Sequence, residues 1–519
     1  MRYYITLFLL FTASFSGAKP NVLFIFADDL GWGDLGCYGH PDIQTPHLDR
    51  LAEEGARFTE FTVAAPVCSP SRAALLTGHY PARYSIHHAI SGPRNNRERN
   101  MPDALDWRGT LLPKLFRDAG YKTGHFGKWH LSPENSPVSP APQQYGYEVS
   151  SIFTGPGPKV WEDSSFADKA GNAHDPVGAA FLSRAAAEKA TEFLEAHPDV
   201  PFFMTYWPLE SHHLVAATEE EKAAYPDTPE PQRTYYAAVT RLDELVGDLV
   251  AVLEQQGRLD ETIILFSSDN GPEHSQDEPD DKLYYSVGSA GDRTGMKRSL
   301  YMGGVNVPFI VRWPAKVPAG HVDEITPISA VDMLPTLCAA AHLDLPEDYT
   351  SDGENMFPVL RGKSRERTHP LFWEWQGEHR RDPDWADFSM RDGSWTYLMN
   401  LETDRRELFD LASDPGQARN LVDNFPDKAA KMERAILEWK LTLPTNPPSL
   451  PRTSEASEKK APRTREDIFT HWDADKDSLL SLEEYSQGIK GHERAAERFA
   501  QFDANEDGGI TVEEFSARE

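Results

Sequence analysis

Short apolar runs alternate with amphipathic stretches from Asn21 to Arg312, and a chain patterned this way has few folds open to it. Asn21-Val22-Leu23-Phe24-Ile25-Phe26-Ala27 has the length and unbroken apolarity of a buried strand, and it ends in Asp28-Asp29. Thr45-Pro46 opens a helix that runs to about Gly55, with Thr45 as its cap and proline in the first turn. Further helices are expected from Ser71 to Thr77, Leu111 to Ala119, Ala179 to Ala196 and Tyr235 to Gln256. Strands are expected at Tyr121 to His125, Pro201 to Tyr206, Thr262 to Ser267 and Pro308 to Arg312. This alternation implies an α/β layered domain with a large, mostly parallel central sheet. Polar residues fall just after the strand ends, where such sheets place their sites.

From about Pro346 the pattern changes. Phe372, Trp373, Trp375, Trp395, Tyr397, Leu408 and Phe409 lie in short segments, as in a small antiparallel sheet, and Lys428 to Leu441 is a closing helix. The expected organisation is a signal peptide over 1–18, a catalytic α/β domain over 19–345, a C-terminal subdomain over 346–443, a linker over 444–465 and a helical tail over 466–519. Arg2, the apolar stretch Ile5 to Phe15 and the small residues Ser16-Gly17-Ala18 carry the signal-peptide reading. They imply export to a periplasmic or extracellular space. No later segment has the unbroken apolar length of a membrane span, so no transmembrane segment is expected in the mature chain.

The formal charge of −30 argues against nucleic acid as a partner. Three cysteines, Cys37, Cys68 and Cys338, are too few for a disulfide scaffold, and an odd count leaves one sulfur without an intrachain partner. Cys68 is the candidate for chemistry, and Cys37 and Cys338 read as small buried apolar residues.

Cys68-Ser69-Pro70-Ser71-Arg72-Ala73-Ala74-Leu75-Leu76-Thr77-Gly78 is the most informative run. Asp28 and Asp29, at the end of the first strand, repel each other unless a cation holds them. A hard divalent ion with oxygen ligands fits them, and Asp269-Asn270-Gly271 follows another strand. Gly124-His125-Phe126-Gly127-Lys128-Trp129-His130, Ser211-His212-His213 and Gly295-Met296-Lys297-Arg298-Ser299-Leu300-Tyr301 complete the set.

In this order these motifs resemble the type I formylglycine-dependent sulfatases, of the arylsulfatase and N-acetylgalactosamine-6-sulfatase type, over roughly residues 19–440. The resemblance implies an alkaline-phosphatase-like fold and hydrolysis of a sulfate ester, with a sulfated carbohydrate as substrate. A formylglycine-generating maturation enzyme is the implied partner, converting Cys68 to 3-oxoalanine (formylglycine). The hydrated aldehyde then offers one hydroxyl as nucleophile and keeps the other for elimination. Asp28, Asp29, Asp269, Asn270 and the modified Cys68 hold Ca2+ in this reading. Arg72 pairs with the formylglycine hydroxyl, Lys128 and Lys297 bind sulfate, and His130 is the base of elimination. His212 is the general acid, with adjacent His213 as the alternative. His125 is left out, as a surface histidine. The sequence departs from the family at Leu214-Val215, Met302 and Asn306. Loops from Tyr84 to Asn96 and Trp373 to Trp385 are candidates for the pocket mouth, with tryptophans against sugar faces, or for core.

The tail, from Glu466 to Glu519, carries 15 acidic and 5 basic residues. Asp473, Asp475, Asp477, Ser481 and Glu484 fall at the ligand positions of a calcium loop, as do Asp503, Asn505, Asp507, Thr511 and Glu514. The first loop has Ser478 where the second keeps Gly508, and Leu480 and Ile510 occupy matching positions. The tail resembles a paired EF-hand. A dockerin is the competing idea, although its loops usually end in Asp. Two other functions share the main motifs: a phosphoesterase or phosphonate hydrolase of the same superfamily, and a glycan-binding scaffold without catalysis.

Overall fold

The computed structural model describes residues 19–132, 140–153, 176–212, 215–273, 286–376, 385–445, 465–488 and 495–516, apart from 504 and 506. The proposed signal peptide therefore lies outside the described residues, as does His213. Strand β1 (Asn21–Ala27) runs inside an eight-stranded sheet. Val22, Phe24 and Phe26 enter one apolar cluster, while Leu23, Ile25 and Ala27 enter another on the opposite face. Both faces are covered, which is why this strand reads as a continuous apolar run rather than an alternation.

The other strands of the first half are β2 (Ala56–Phe58), β3 (Phe61–Thr62), β4 (Lys122–Lys128) and β5 (Val149–Phe153). They are followed by β6 (Phe202–Trp207), β7 (Thr262–Ser268), β8 (Phe309–Arg312), β9 (His321–Asp323) and the short β10 (Ile328–Ser329). The large sheet has the order β5-β4-β6-β1-β7-β8-β2-β9. Among its described strands β8 runs against the others, pairing antiparallel with β7 and β2. β1 is parallel to both β6 and β7, with Ile25 level with Tyr206 and Phe266. The carboxyl ends of β4, β6, β1 and β7 therefore lie along one edge.

Helix Gln232–Gln255 covers one face through Tyr235, Ala238, Leu242, Leu245, Val246, Leu249 and Leu253, a helical repeat of apolar positions. Helix Cys68–Thr77 serves the other face, and all ten of its residues are buried. It begins at Cys68, ahead of the expected start at Ser71. Pro70 permits this because the first turn of a helix has no intrahelical use for its N–H groups. Helix Pro46–Glu54 starts as expected, but Thr45 does not cap it. Its hydroxyl is taken by the Gly36 amide at 2.9 Å and by Asp49 at 3.0 Å.

A four-stranded antiparallel sheet follows: β11 (Leu371–Glu374), β12 (Phe388–Asp392), β13 (Trp395–Met399) and β14 (Arg406–Asp410), in sequential order. Helix Pro426–Lys440 closes over it, with Trp439 stacked on Phe372 at 5.0 Å. Trp373, Trp375 and Trp385 are buried, so their rings belong to core rather than to an open mouth. Cys37, Cys68 and Cys338 form no disulfide; Cys338 is buried and Cys37 half-buried.

The chain divides into two compact units, Met1–Leu450 and Pro451–Glu519. The second has its own core of Phe469, Leu480, Tyr485, Phe499, Ile510 and Phe515. Its helices Arg465–Trp472, Leu482–Gly488, Ala495–Phe502 and Val512–Ser516 flank two loops. Leu480 and Ile510 join those loops by two backbone hydrogen bonds, of 2.9 and 3.0 Å. No helix among the described residues is long and apolar enough to cross a membrane.

Candidate active site

Four strand ends and one helix start converge. Asp28 and Asp29 follow β1, Lys128 ends β4 with His130 just beyond, Ser211 and His212 follow β6, and Asp269 and Asn270 follow β7. Cys68 is the first residue of its helix, the positive end of the helix dipole. Asp28, Asp29, Asp269, Asn270 and Arg72 have no exposed surface, and Cys68 has 2%.

The Cys68 Sγ lies 3.3 Å from Asp28 Oδ1, 4.0 Å from Asp29 Oδ1 and 3.5 Å from Lys128 Nζ. Lys128 Nζ donates to Asp28 Oδ2 at 2.5 Å, and Lys297 Nζ donates to Asp29 Oδ2 at 2.6 Å. Arg72 donates to Asp269 Oδ2 through Nε at 3.0 Å and Nη2 at 2.6 Å, and Nη2 also lies 3.2 Å from Asp28. Its guanidinium sits over the Trp207 ring at 4.8 Å. His212 Nε2 is 3.7 Å from Asp29 Oδ2.

Each element is locked by backbone contacts. The Asp29 amide donates to Asp269 Oδ1 at 3.1 Å, and Ser211 Oγ donates to the Asp28 carbonyl at 2.7 Å. The Lys297 amide donates to the Pro272 carbonyl and that of Arg298 to the Pro66 carbonyl, tying this loop to both neighbours. Asp29 has φ 61° and His130 φ 55°, left-handed conformations that cost about 1–2 kcal/mol each in residues other than glycine. Ser69 Oγ donates to the His130 carbonyl at 2.7 Å, and His130 Nε2 meets the Ile90 carbonyl at 3.0 Å.

The charges are strongly coupled. Burial works against the Asp28 carboxylate, but Lys128, with His212, Arg72 and Lys297, holds it well below the usual range. Burial and then Asp28 push Asp269 up to about 7, against Arg72. Burial, Asp269 and Asp28 raise the Cys68 thiol well above its ordinary value, so it is neutral. Burial and then Lys128 lower His212 to about 3, and the same two causes lower His130 well below the ordinary imidazole value.

The donor set fits a hard divalent cation. Three buried carboxylates crowd one point, and the buried Asn270 Oδ1 has no hydrogen-bond partner while its Nδ2 donates to Asp29 at 2.7 Å. Oriented oxygens with nothing to accept are what such an ion uses. Asp28, Asp29, Cys68 and His212 have ligand atoms grouped closely enough to hold one ion.

Thus Cys68, Arg72, Lys128, His130, His212, Lys297, Asp28, Asp29, Asp269 and Asn270 share one site. His125 is a correction to the surface reading: it is fully buried, because β4 lies between β5 and β6, and its Nδ1 meets Thr205 Oγ1 at 2.7 Å. Sequence reasoning missed Glu273, which accepts from Lys297 Nζ at 3.2 Å and from Arg298 at 3.2 Å. Its place two residues beyond Gly271 was the available signal. The Ile90 carbonyl carried no side-chain signal at all.

In the second unit, Asp473, Asp475 and Glu484 bring carboxylate oxygens together, and the buried Asp473 Oδ1 has no hydrogen-bond partner. Asp477 Oδ1 accepts from the Leu479 amide, and Ser481 Oγ donates to Glu484. In the other loop Asp503 and Asn505 accept from the Asp507 amide, Asp507 accepts from the Gly509 amide, and Glu514 accepts from Thr511.

The sulfatase family profile matches residues 20–343, and the profile described as N-sulphoglucosamine sulphohydrolase, C-terminal, matches residues 294–441. Arylsulfatase A of Bos taurus is 31% identical over 487 residues, covering 84% of this chain and 90% of its own. N-acetylgalactosamine-6-sulfatase of Homo sapiens is 30% identical, covering 78% and 82%. The solved structure of Ps i-CgsB in complex with k-i-k-neocarrahexaose superposes with a TM-score of 0.68 at 26% identity, covering 81% of this chain and 93% of that one. The protein belongs to the sulfatase family, the sulfuric ester hydrolases.

Proposed function

We propose that this exported hydrolase releases inorganic sulfate from a sulfated carbohydrate, through formylglycine made from Cys68 beside a bound calcium ion. The observation that carries the reading is the meeting of Cys68, Lys128, His212 and Lys297 on the two buried carboxylates of Asp28 and Asp29 at one sheet edge. The names of relatives support the substrate class: N-acetylgalactosamine-6-sulfatases, and Ps i-CgsB in complex with k-i-k-neocarrahexaose.

Asp28, Asp29, Asp269 and Asn270 hold the cation. When bound, calcium supplies positive charge that favours the ionised hydroxyl and offsets the charge of the sulfate. Lys128 and Lys297, each held on one of the two paired aspartates, would bind the sulfate oxygens, and Arg72 steadies the hydroxyl that stays behind. Formylglycine at position 68, once made and hydrated, would supply the hydroxyl that displaces the alcohol from sulfur, and His212 is placed to protonate that alcohol. Burial and then Lys128 keep His212 neutral in the free site, and incoming sulfate would offset the lysine charge. His130 is placed to take the proton of the second hydroxyl that formylglycine would keep for releasing sulfate. The tail carries two further calcium sites, a reading supported by the unpartnered Asp473 Oδ1 and the Leu480–Ile510 bridge.

The test is sulfate release by the chain coexpressed with a formylglycine-generating enzyme, assayed on aryl sulfates and sulfated glycans. Release that requires position 68 to be converted, falls on chelation and returns with calcium is the expected result. Confirmed conversion with phosphate release in place of sulfate release, or with neither, overturns it.

A further inference from the structure

The segment His87-His88-Ala89-Ile90 lies against the site without belonging to the machinery above. The Ile90 carbonyl meets His130 Nε2 at 3.0 Å, and its amide donates to Ser69 Oγ at 2.9 Å, next to Cys68. Two residues earlier, the half-buried His88 imidazole is stacked on the buried Trp375 ring, with centroids 5.1 Å apart and planes 25° apart. The Ala89 amide donates to His88 Nδ1 at 2.7 Å, and Arg99 Nη1 lies 3.0 Å from the same nitrogen. An amide and a guanidinium only donate, so Nδ1 is the acceptor and the proton sits on Nε2. That N–H has no hydrogen-bond partner among the described residues.

Stacking fixes the ring plane, two donors fix the tautomer, and no described residue takes up the remaining donor. The surroundings say what kind of group suits it. Arg99 is in contact, and the charges of Arg298 and Lys297 also bear on the ring; burial and these three cations bring His88 down to about 4. Glu374, next to Trp375 in the chain, lies 3.0 Å from His87 Nδ1. Lys297 and Arg298 share Glu273, so Arg99 is the cation in direct contact with the ring, and it stands beside a neutral N–H donor.

We propose that His88, braced by Arg99, is a specificity-determining residue that donates from Nε2 to a second acidic group of the substrate, a carboxylate or another sulfate close to the scissile ester. Substrates would then be sugars bearing two neighbouring anionic groups. This rests on the proposed hydrolysis of a sulfated carbohydrate, and it selects within that class.

The test is calorimetric titration of the full-length Cys68→Ala chain, in calcium, with two pairs of sugars differing by one acidic group. These are N-acetylgalactosamine 6-sulfate against its 4,6-disulfate, and glucosamine 6-sulfate against glucosamine 2-N,6-O-disulfate. The disulfated member of at least one pair should bind about tenfold tighter or more. His88→Phe, which keeps the stack on Trp375 and loses the donor, should reduce that preference to about twofold or less. His88→Gln, which restores an N–H, should recover part of it. No preference in either pair, or a preference undiminished in His88→Phe, overturns the inference. Sulfate release from aryl esters by the converted wild type decides the underlying hydrolase reading separately, because those esters carry no second acid.

Discussion

Arg72 grips Asp269 through two nitrogens while neither side chain exposes any surface, so each is the other's principal compensation for burial. Arg72→Ala leaves Asp269 without its paired charge, beside an Asp28 that keeps Lys128. It should destabilise the first unit by about 3–5 kcal/mol, read as a lower urea midpoint. Arg72→Lys keeps the charge but cannot span both carboxylates, and its loss should be smaller. Equal stability of Arg72→Ala and wild type would show that the pair is not what holds this edge.

Gly271 separates the Asp269-Asn270 turn from the loop that carries Lys297. A Cβ there falls 1.9 Å from the Gly303 carbonyl oxygen, and the Gly271 amide donates to the Gly304 carbonyl at 2.9 Å. Gly271→Ala should push the two loops apart, costing about 1–3 kcal/mol of stability. Calcium affinity and activity should fall with it, because both Asn270 and Lys297 move. Calorimetric calcium titration alongside thermal unfolding checks this.

Glu273 shares Lys297 with Asp29, at 3.2 Å against 2.6 Å. A carboxylate there competes with sulfate for the ammonium group. Glu273→Gln should tighten inhibition by inorganic sulfate roughly fivefold, equivalent to ~1 kcal/mol. An unchanged inhibition constant would mean that Glu273 does not face the anion.

Ser478 turns the first loop of the tail with φ 71°, where the second loop uses Gly508 at φ 89°. A serine in this conformation costs about 1–2 kcal/mol, which glycine avoids. Ser478→Gly should therefore strengthen the weaker of the two tail calcium sites by roughly fivefold or more. Stepwise calcium titration of the full chain, with the Gly508 loop as internal standard, resolves the change.

What the sequence discloses depends on whether the cause is local. β1, β6 and β7 are legible because strands covered on both faces must be apolar throughout, and their terminal polar residues stand out against that background. Asp28, Asp29, Asp269 and Asn270 follow from this, and the Cys68 to Gly78 run carries its own signature. The reversed direction of β8 and the strand order are set by pairing across long separations, which no local pattern records. Thr45 has the chemistry of a cap, yet Gly36 and Asp49 claim its hydroxyl through the fold. His125 looks like any polar residue in a glycine-rich stretch, and only the neighbours of β4 make it core. Trp373, Trp375 and Trp385 show the same limit: Trp373 donates to the Val63 carbonyl, Trp375 stacks on His88 and Trp385 donates to Tyr301, partners far away in the chain.

The position of β1 also sets an order of events during synthesis. It is made first, but it is completed only by β6 and β7, and Asp29 must wait for Asn270, 241 residues later. At ~5–20 residues per second the wait is on the order of ten to fifty seconds. The finished fold closes Cys68 to 2% exposure, whereas the nascent chain presents its thiol freely. Under the proposed maturation, the oxidising enzyme would have the time between synthesis of Cys68 and of Asn270, about ten to forty seconds at that rate, and the sheet order would set when access to the thiol ends.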